Sequence, residues 1–482
     1  MPIPADAAAS PDLWPLAVLG ISVGLIVFLI TVARLHPFFA LSLAAFSVGI
    51  LARPGSLPGQ TADMNHWVYA VELATRELGT MTGRIALVIG FAAVIGMCLM
   101  ESGAADKVVR RFLAVFGQAR AGLAICVSGY ILSIPIFFDT FFMLLLPLAQ
   151  ALALRTGRDY VLYVMAICCA GVVTHSLVIP HPGPLVMADT LGIDAGLTVW
   201  VGILVGIVPV AVSWQVAKRL NRWIAIPVRE TTAGSLDGLR TIAAKPESEL
   251  PSFVVSIAPV LVPIFLISFA STLEALPGLR ASWPFLFAVF EFLGNRNIAL
   301  LIGAMMAMGV LVRQRAASAR DVQQLMGHPL GVAAIVILIT GAGGAYGLML
   351  RNCGVGETVK DLVAGRDINL VLLAWLVAAV IRVAQGSATV AMLTAAALVL
   401  PLISEGQSLP FHPVYVFLAI GFGSMILSWM NDSGFWVISK LSGFTEGETL
   451  KTWTVIATVN SVVGVAFVYL LSKILPFPPG TA

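Results

Sequence analysis

Apolar runs long enough to cross a membrane recur along the whole of this 482-residue chain. A membrane-spanning helix needs about 20 mostly apolar residues, and ten runs have this character. They cover residues 14–33, 35–53, 83–102, 160–180, 196–216, 252–273, 296–313, 329–349, 412–430 and 453–475. Only 11% of the residues are charged, against about 25% in a soluble domain. The sequence therefore predicts an all-α polytopic membrane protein with a single membrane domain.

Two further apolar stretches, 121–150 and 368–403, are interrupted by proline and glycine and carry small polar residues near their middles. We expect each stretch to form a re-entrant hairpin, which enters the membrane and returns to the same side. Non-helical backbone at that depth is tolerated only where protein or a water-filled cavity satisfies its polar groups. The two hairpins are therefore the first places to look for a functional site.

Lysine and arginine predict the orientation of the chain, because short cytoplasmic loops carry an excess of both. They concentrate in segments 103–120, 151–159, 217–250 and 312–328. These segments share one side of the membrane if 121–150 is re-entrant, so both termini should face outward. Segment 350–367 disagrees, since it lies outside in this arrangement and carries three basic residues.

The predicted arrangement contains an internal symmetry. Each half has three spans, a hairpin and two further spans, and the two halves start on opposite sides, as in the inverted-topology repeats of secondary transporters. We predict a first repeat over 1–216, a cytoplasmic linker over 217–250 and a second repeat over 251–482. Residues 181–183 (HPG) and 432–434 (DSG) are matching landmarks at an offset of 251.

In transporters of this architecture the substrate lies near the bilayer midplane, between broken helices whose N-termini attract an anion. Asp139 and Thr140 lie at the tip of the first hairpin. An ionisable residue inside an apolar stretch is costly, and by default it indicates function. Asp139 is therefore the first candidate to bind substrate and carry a coupled proton; alternatively, it caps the second helix of the hairpin.

The span at 160–180 runs into a cluster of three prolines and a glycine at residues 180–184. These residues must break the helix, and the break frees backbone groups for a ligand. His181 and Gly183 lie in the break, and His175 lies on the preceding helix. We predict that His181 and Gly183 bind substrate and that His175 is a possible contributor. The alternative for both histidines is a structural role.

The second hairpin carries Gly386, Ser387 and Thr389 at its tip, preceded by Arg382. Small residues permit a close backbone approach and hydroxyl groups can bind a polyol, although the same residues also suit helix packing. Arg382 is either the partner of a carboxylate or a residue that extends its charge to the membrane surface.

Asn431 and Asp432 mirror the proline break of the first half. Asn431 offers amide donors and an acceptor to a substrate. Asp432 is a second carboxylate inside the membrane, so it is either the second candidate for proton coupling or a helix cap.

Taken together, these motifs resemble the gluconate permease family of gluconate:proton symporters. The similarity runs from about residue 85 to 465. It rests on His175–Pro184, Phe137–Asp139, Glu101–Ala104, Gly341–Ala345, Gly386–Ala391, Asn431–Trp436 and Glu448–Thr454. The resemblance implies uptake of gluconate or a related acid with protons, across a bacterial inner membrane. The family in turn resembles a wider group of paired-hairpin carriers, which implies a homodimer with an elevator-like motion. Relatives also carry other aldonates, D-serine and short hydroxy acids.

Two departures from the family pattern bear on the substrate. Trp429 stands where the pattern S-H-x-N-D has histidine, and Phe141 and Phe142 follow Asp139-Thr140 where a glycine is more usual. Both changes should narrow a pocket, so the sugar-acid or hydroxy-acid class is a firmer expectation than gluconate itself.

Other functions lack their motifs. The sequence has no H-E-x-x-H metal site, no G-x-S-x-G elbow and no P-loop, which argues against a membrane enzyme. The longest polar segment is too short to fold as a sensor domain. The five cysteines show no metal-ligand spacing, and a net charge of +3 gives no reason to expect nucleic acid.

We expect no cofactor beyond the coupled proton, with membrane lipid and a small carboxylate as partners. Sodium coupling stays open, because carboxylates and carbonyl groups could hold sodium equally well.

Overall fold

The computed structural model describes residues 12–229, 249–274, 283–316, 318–355, 358, 369–404, 409–430 and 432–477. Within these ranges the chain forms helices and no β-strand. The first half contains α1 (Trp14–Thr31), α2 (Pro37–Leu51), α3 (His66–Glu101), α4 (Ala104–Phe116), α5 (Ala121–Leu132), α6 (Phe138–Thr156), α7 (Tyr160–Leu177), α8 (Pro182–Leu191) and α9 (Ala195–Trp223). The second half contains α10 (Phe253–Glu274), α11 (Pro284–Gly294), α12 (Arg296–Arg315), α13 (Ala319–Asn352), α14 (Leu370–Gln385), α15 (Ala388–Ser404), α16 (Val414–Gly423), α17 (Ser433–Ser442), α18 (Glu446–Thr449) and, after a π-helical turn, α19 (Val455–Ile474).

Seven helical stretches in the described ranges are long and apolar enough to cross a membrane. They are His66–Glu101, Tyr160–Leu191, Ala195–Trp223, Phe253–Leu273, Arg296–Arg315, Arg320–Asn352 and Glu446–Ile474. The chain is therefore an all-α, multi-pass membrane protein. The number of ten spans, the re-entrant course of the hairpins and the inverted repeat stay predictions, and much of the predicted linker 217–250 lies outside the described residues.

Two of the long helices begin well before the apolar runs that predict them. Helix α3 begins at His66, where the Asn65 side chain accepts hydrogen bonds from two backbone N–H groups. Helix α13 begins after Ser318, which forms a capping box with Asp321. Such caps satisfy backbone groups that the first helical turn leaves unpaired. Hydropathy detects the apolar part of a helix and misses these polar extensions.

Both predicted hairpin stretches contain a pair of helices with a break between them. In the first, α5 ends at Leu132 and α6 begins at Phe138. In the second, α14 ends at Gln385 and α15 begins at Ala388, with Gly386 in the left-handed conformation at φ 83°. Glycine adopts this conformation without the strain that a Cβ would cause.

The stretch from α7 to α8 forms the centre of the molecule, because 89% of an apolar 18-residue segment within it is buried inside the protein. Two other helices approach the end of α7 closely through glycine. A Cβ on Gly202 of α9 would lie 2.3 Å from the Leu177 carbonyl oxygen. A Cβ on Gly421 of α16 would lie 2.7 Å from the Ser176 carbonyl oxygen. The end of α7 is therefore held by backbone contact with both helices.

Phe141 of the first hairpin is fully buried, and glycines on its neighbours make room for it. A Cβ on Gly129 of α5 would lie 3.1 Å from the ring of Phe141, and one on Gly171 of α7 would lie 2.8 Å from it. The bulk that this chain carries at Phe141 therefore fills space that small residues on α5 and α7 leave open.

Candidate functional site

Four helix N-termini meet at one cavity of about 260 Å³. Phe138 begins α6, Pro182 begins α8, Ala388 begins α15 and Ser433 begins α17, and all four residues line the cavity. The first N–H groups of a helix have no partner within the helix, and its dipole places partial positive charge at that end. Several such termini around one cavity form a site suited to an anion.

Arg382 and Asp432 form a buried ion pair in the wall of this cavity. Their side chains are only 4% and 10% exposed. The Nη2 atom of Arg382 donates to Asp432 Oδ2, and Nη1 donates to the Gly386 carbonyl oxygen. Arg382 thus lies in the interior beside a carboxylate, and its Nε atom has no hydrogen-bond partner within the described protein.

Asp432 accepts two further hydrogen bonds besides the one from Arg382. The Ser428 hydroxyl donates to Oδ2, and the Gly434 backbone N–H donates to Oδ1 over 3.0 Å. The second contact makes Asp432 the N-cap of α17. Ser428 itself accepts a hydrogen bond from the Trp453 indole Nε1 over 2.6 Å. Asp432 is therefore held by three donors, from Arg382, from Ser428 and from the start of α17.

Ser387 and Thr389 line the cavity at the start of α15. The Ser387 Oγ atom accepts from the Val390 N–H over 3.3 Å, so Ser387 caps the helix. Both hydroxyl groups lie in the same wall as Arg382, and they can bond to the hydroxyl or carboxylate groups of a small ligand.

The two predicted histidines have different positions. His175 lines the cavity, and its Nδ1 atom has no partner among the described residues. His181 lies behind it, with the ring centroids 5.0 Å apart. The Nε2 atom of His181 donates to the Ser133 carbonyl oxygen over 2.8 Å, which ties the break before α8 to the end of α5. His175 therefore forms part of the cavity wall with its Nδ1 atom buried, while His181 supports the site.

Gly183 lies beside the cavity and packs against the second hairpin. A Cβ at Gly183 would lie 2.2 Å from the terminal methyl carbon of Met392, a residue of α15. Glycine here lets α8 approach α15 closely, so the start of one helix lies near the start of the other.

Three predicted residues are only partly accounted for. Asp139 and Thr140 belong to the first turn of α6, next to the cavity-lining Phe138, but their side chains lie outside the description. Asn431 lies outside the described residues altogether. Their roles in binding and proton coupling stay predictions.

The cavity also has an apolar wall, whose residues the sequence did not predict as part of the site. Phe137, Phe138, Val172, Val336 and Trp453 line it together with the polar residues. The ring centroids of Phe138 and Trp453 lie 5.5 Å apart. Phe137 and Phe138 precede Asp139, and Trp453 belongs to the Glu448–Thr454 motif, but nothing distinguishes Val172 and Val336 within their long apolar runs.

Trp429 lies beside the cavity rather than in its described wall. Its indole Nε1 donates to the Val383 carbonyl oxygen over 3.2 Å, and 43% of the residue is exposed. Trp429 thus contacts the last turn of α14, one residue from Arg382, and its backbone carbonyl oxygen accepts a hydrogen bond from the Asp432 N–H over 2.9 Å.

A multi-pass helical protein whose broken helices meet at one cavity, with a buried ion pair in its wall, has the fold and the site of a membrane transport protein. The chain belongs to the GntP permease family, because the model described as GntP family permease matches residues 14–474.

Characterised relatives match over nearly their full length. The chain is 33% identical over 458 residues to the gluconate permease of Pseudomonas aeruginosa, covering 94% of this chain and 96% of that protein. It is 31% identical over 463 residues to the Gnt-II system L-idonate transporter of Escherichia coli, covering 96% and 100%. Among solved structures, MtrF of Neisseria gonorrhoeae shares the fold, with a TM-score of 0.64 and 14% identity over 94% of this chain and 99% of that chain.

Proposed function

We propose that this permease carries a small sugar acid, gluconate or a related aldonate, together with protons across the bacterial inner membrane. The observation that carries the proposal is the convergence of four helix N-termini and the Arg382 guanidinium on one cavity. Helix N-termini and a guanidinium around one space are groups that recognise a carboxylate, here with Asp432 as the partner that Arg382 has in the absence of substrate. The relatives named for gluconate and L-idonate support a six-carbon sugar acid as the ligand.

In this proposal the carboxylate of the substrate lies between Arg382 and the start of α15. Its hydroxyl groups bond to Ser387 and Thr389. His175 is a further polar partner, because its Nδ1 atom has no partner among the described residues. Asn431 and Thr140 are proposed to contribute from the undescribed part of the wall. The aromatic rings of Phe138 and Trp453 enclose the carbon chain.

The movement we propose is an elevator-like displacement of the two hairpins within a homodimer. The cavity draws Phe138 and His175 from the predicted first repeat and Arg382 and Asp432 from the second. A site with walls from both halves is what inverted repeats place at their interface, and this supports the proposed repeats.

Uptake into proteoliposomes tests the proposed function. We expect labelled gluconate or L-idonate to accumulate when the lumen is more alkaline than the medium, and a protonophore to abolish the accumulation. Replacing sodium with choline should leave uptake unchanged. Accumulation that requires sodium would reject proton coupling. Uptake of D-serine or a short hydroxy acid, with no uptake of either gluconate or L-idonate, would reject the substrate class. Liposomes without protein provide the control.

Trp429→His introduces the residue that the family pattern has at this position. Because Trp429 contacts Val383 rather than the described cavity wall, the variant loses one hydrogen bond worth about 0.5–1.5 kcal/mol. We expect the apparent affinity for each sugar acid to change by less than about tenfold, with the order of preference unchanged. Competition for uptake measures this. A reversal of the order would show that Trp429 contacts the substrate directly.

A further inference from the structure

Arg382 already has a negative partner inside the cavity before any substrate binds. Asp432 neutralises it at hydrogen-bond distance, and both side chains are buried. An entering carboxylate would place two negative charges beside one cation. In an interior of low dielectric constant this repulsion is much larger than in water. The site therefore binds an anion well only if Asp432 loses its charge.

We propose that the Arg382–Asp432 pair couples substrate to protons by exchange: the substrate carboxylate takes the place of Asp432 on Arg382, and Asp432 takes up one proton. This inference rests on the proposed function and names the groups that perform its coupling. The proton binds to a carboxylate oxygen of Asp432 and leaves from it when the substrate leaves. No other bond forms or breaks, so one proton moves with each monovalent anion.

The geometry around Arg382 suits this exchange. The Gly386 carbonyl oxygen accepts from Nη1, so the guanidinium stays anchored after Asp432 releases Nη2. The Nε atom is buried and has no partner in the described structure, so a carboxylate reaches it only when Asp432 moves off Nη2. Nε and Nη2 lie on one edge of the planar guanidinium, and a carboxylate can bind that edge through two parallel hydrogen bonds.

Asp432 keeps one anchor, at the start of α17, when its protonated Oδ2 atom moves off Arg382 Nη2. Its Oδ1 atom still accepts from the Gly434 N–H, because that bond caps α17 in either state. The Ser428 hydroxyl can rotate to accept the new proton on Oδ2, since a hydroxyl both donates and accepts. The change is therefore local, and the helix start remains intact for the anion.

Among the described residues, Arg382 is the only lysine or arginine in the cavity wall. His175 shares the cavity wall and His181 lies behind it. Lys440, on the same helix, pairs with Glu446 over 3.4 Å at an exposed end. Farther along, Glu448 pairs with Arg229 over 2.7 Å. Asp139, in the first turn of α6, is the rival proton carrier.

Asp432→Asn tests the exchange, because it removes the site of protonation and leaves Arg382 free. We expect the variant to exchange labelled sugar acid across the membrane, yet to lose accumulation driven by a pH gradient, so that the ratio of internal to external substrate falls to about one. In the wild type, binding should weaken with rising pH by up to about tenfold per unit, the limit for one linked proton. In Asp432→Asn it should be independent of pH.

Asp189→Asn is the matched control. Asp189 also pairs with an arginine, with Oδ1 2.6 Å from Arg296 Nη1, but it lies away from the cavity. This variant should accumulate substrate as the wild type does. If Asp432→Asn accumulates substrate and Asp139→Asn does not, the exchange is overturned and Asp139 carries the proton.

The wild type provides a test that needs no variant. One proton per monovalent anion makes transport electroneutral, so a potassium diffusion potential should leave uptake unchanged at a fixed pH gradient. Uptake that rises or falls with the potential would overturn the exchange. If the wild type neither binds nor accumulates any of the acids, the proposed function itself has failed. If the wild type accumulates substrate and Asp432→Asn does so as well, only the exchange has failed.

Discussion

Arg382→Gln is expected to destabilise the protein by about 3–5 kcal/mol, because it leaves a buried carboxylate without its cation. Asp432 is 10% exposed at its side chain, so water can replace little of the lost interaction. Glutamine can still donate a hydrogen bond, but it supplies no charge. The midpoint of thermal unfolding in detergent measures the loss. Substrate binding should disappear as well, since the proposed partner of its carboxylate is gone.

The double variant Arg382→Gln/Asp432→Asn separates the two effects. It removes both charges, and a buried pair replaced as a unit is often nearly neutral for stability. We therefore expect the midpoint to recover towards the wild-type value while substrate binding stays lost. Recovery of binding together with stability would show that Arg382 only supports the fold.

An exposed ion pair gives the reference for this comparison. Arg53 and Asp12 lie 2.8 Å apart with side chains 63% and 46% exposed. Arg53→Gln should cost less than about 1 kcal/mol, as surface pairs do. A loss of similar size in Arg53→Gln and Arg382→Gln would contradict the argument from burial.

The sequence predicted the helix breaks because backbone chemistry requires them. Prolines at residues 180–184 cannot continue α7, and Gly386 ends α14 in a left-handed conformation. The structure places a break at each position and brings the starts of the following helices to one cavity. Local composition was sufficient to locate these elements.

The ion pair could not be predicted in the same way. Arg382 and Asp432 are separated by 50 residues, and their contact depends on how α14 and α17 pack. The sequence left two positions open for Arg382, because a long basic side chain in an apolar run can reach the membrane surface or a buried carboxylate. Only the packing of the helices decides between them.

The effect of bulky residues was also hard to foresee. Phe141 looked like an intrusion into a pocket, but Gly129 and Gly171 on neighbouring helices accommodate it. Trp429 replaces a titratable residue of the family pattern, yet it contacts Val383 beside the cavity. A single sequence shows a large residue without showing the space that its neighbours leave for it.

Gly202→Ala is expected to have the second large effect, because a methyl group there meets backbone that cannot move alone. The Cβ would lie 2.3 Å from the Leu177 carbonyl oxygen and 3.1 Å from its carbonyl carbon. Leu177 is the last residue of α7, and Gly421 holds the preceding carbonyl from another helix. Overpacking of a tight contact costs about 1–3 kcal/mol, and here it also displaces the turn that positions His175 and His181.

Gly309→Ala is the control, because no atom of the described residues lies within 4 Å of a Cβ at that position on α12. Alanine is the better helix former by about 1 kcal/mol at both sites, so this variant should be as stable as the wild type or slightly more stable. Gly202→Ala carries the same gain in helix propensity. A lower unfolding midpoint in Gly202→Ala alone therefore isolates the close contact with α7.

Transport measurements then show whether the contact also sets the geometry of the site. We expect Gly202→Ala to retain less than about a tenth of wild-type uptake per folded molecule, since close-packed interiors transmit such a shift to their neighbours. Gly309→Ala should keep its uptake. If Gly202→Ala lost stability but transported at the wild-type rate, α9 would yield to the methyl group while the end of α7 stayed in place. The positions of His175 and His181 would then depend on their own hydrogen bonds and on α16.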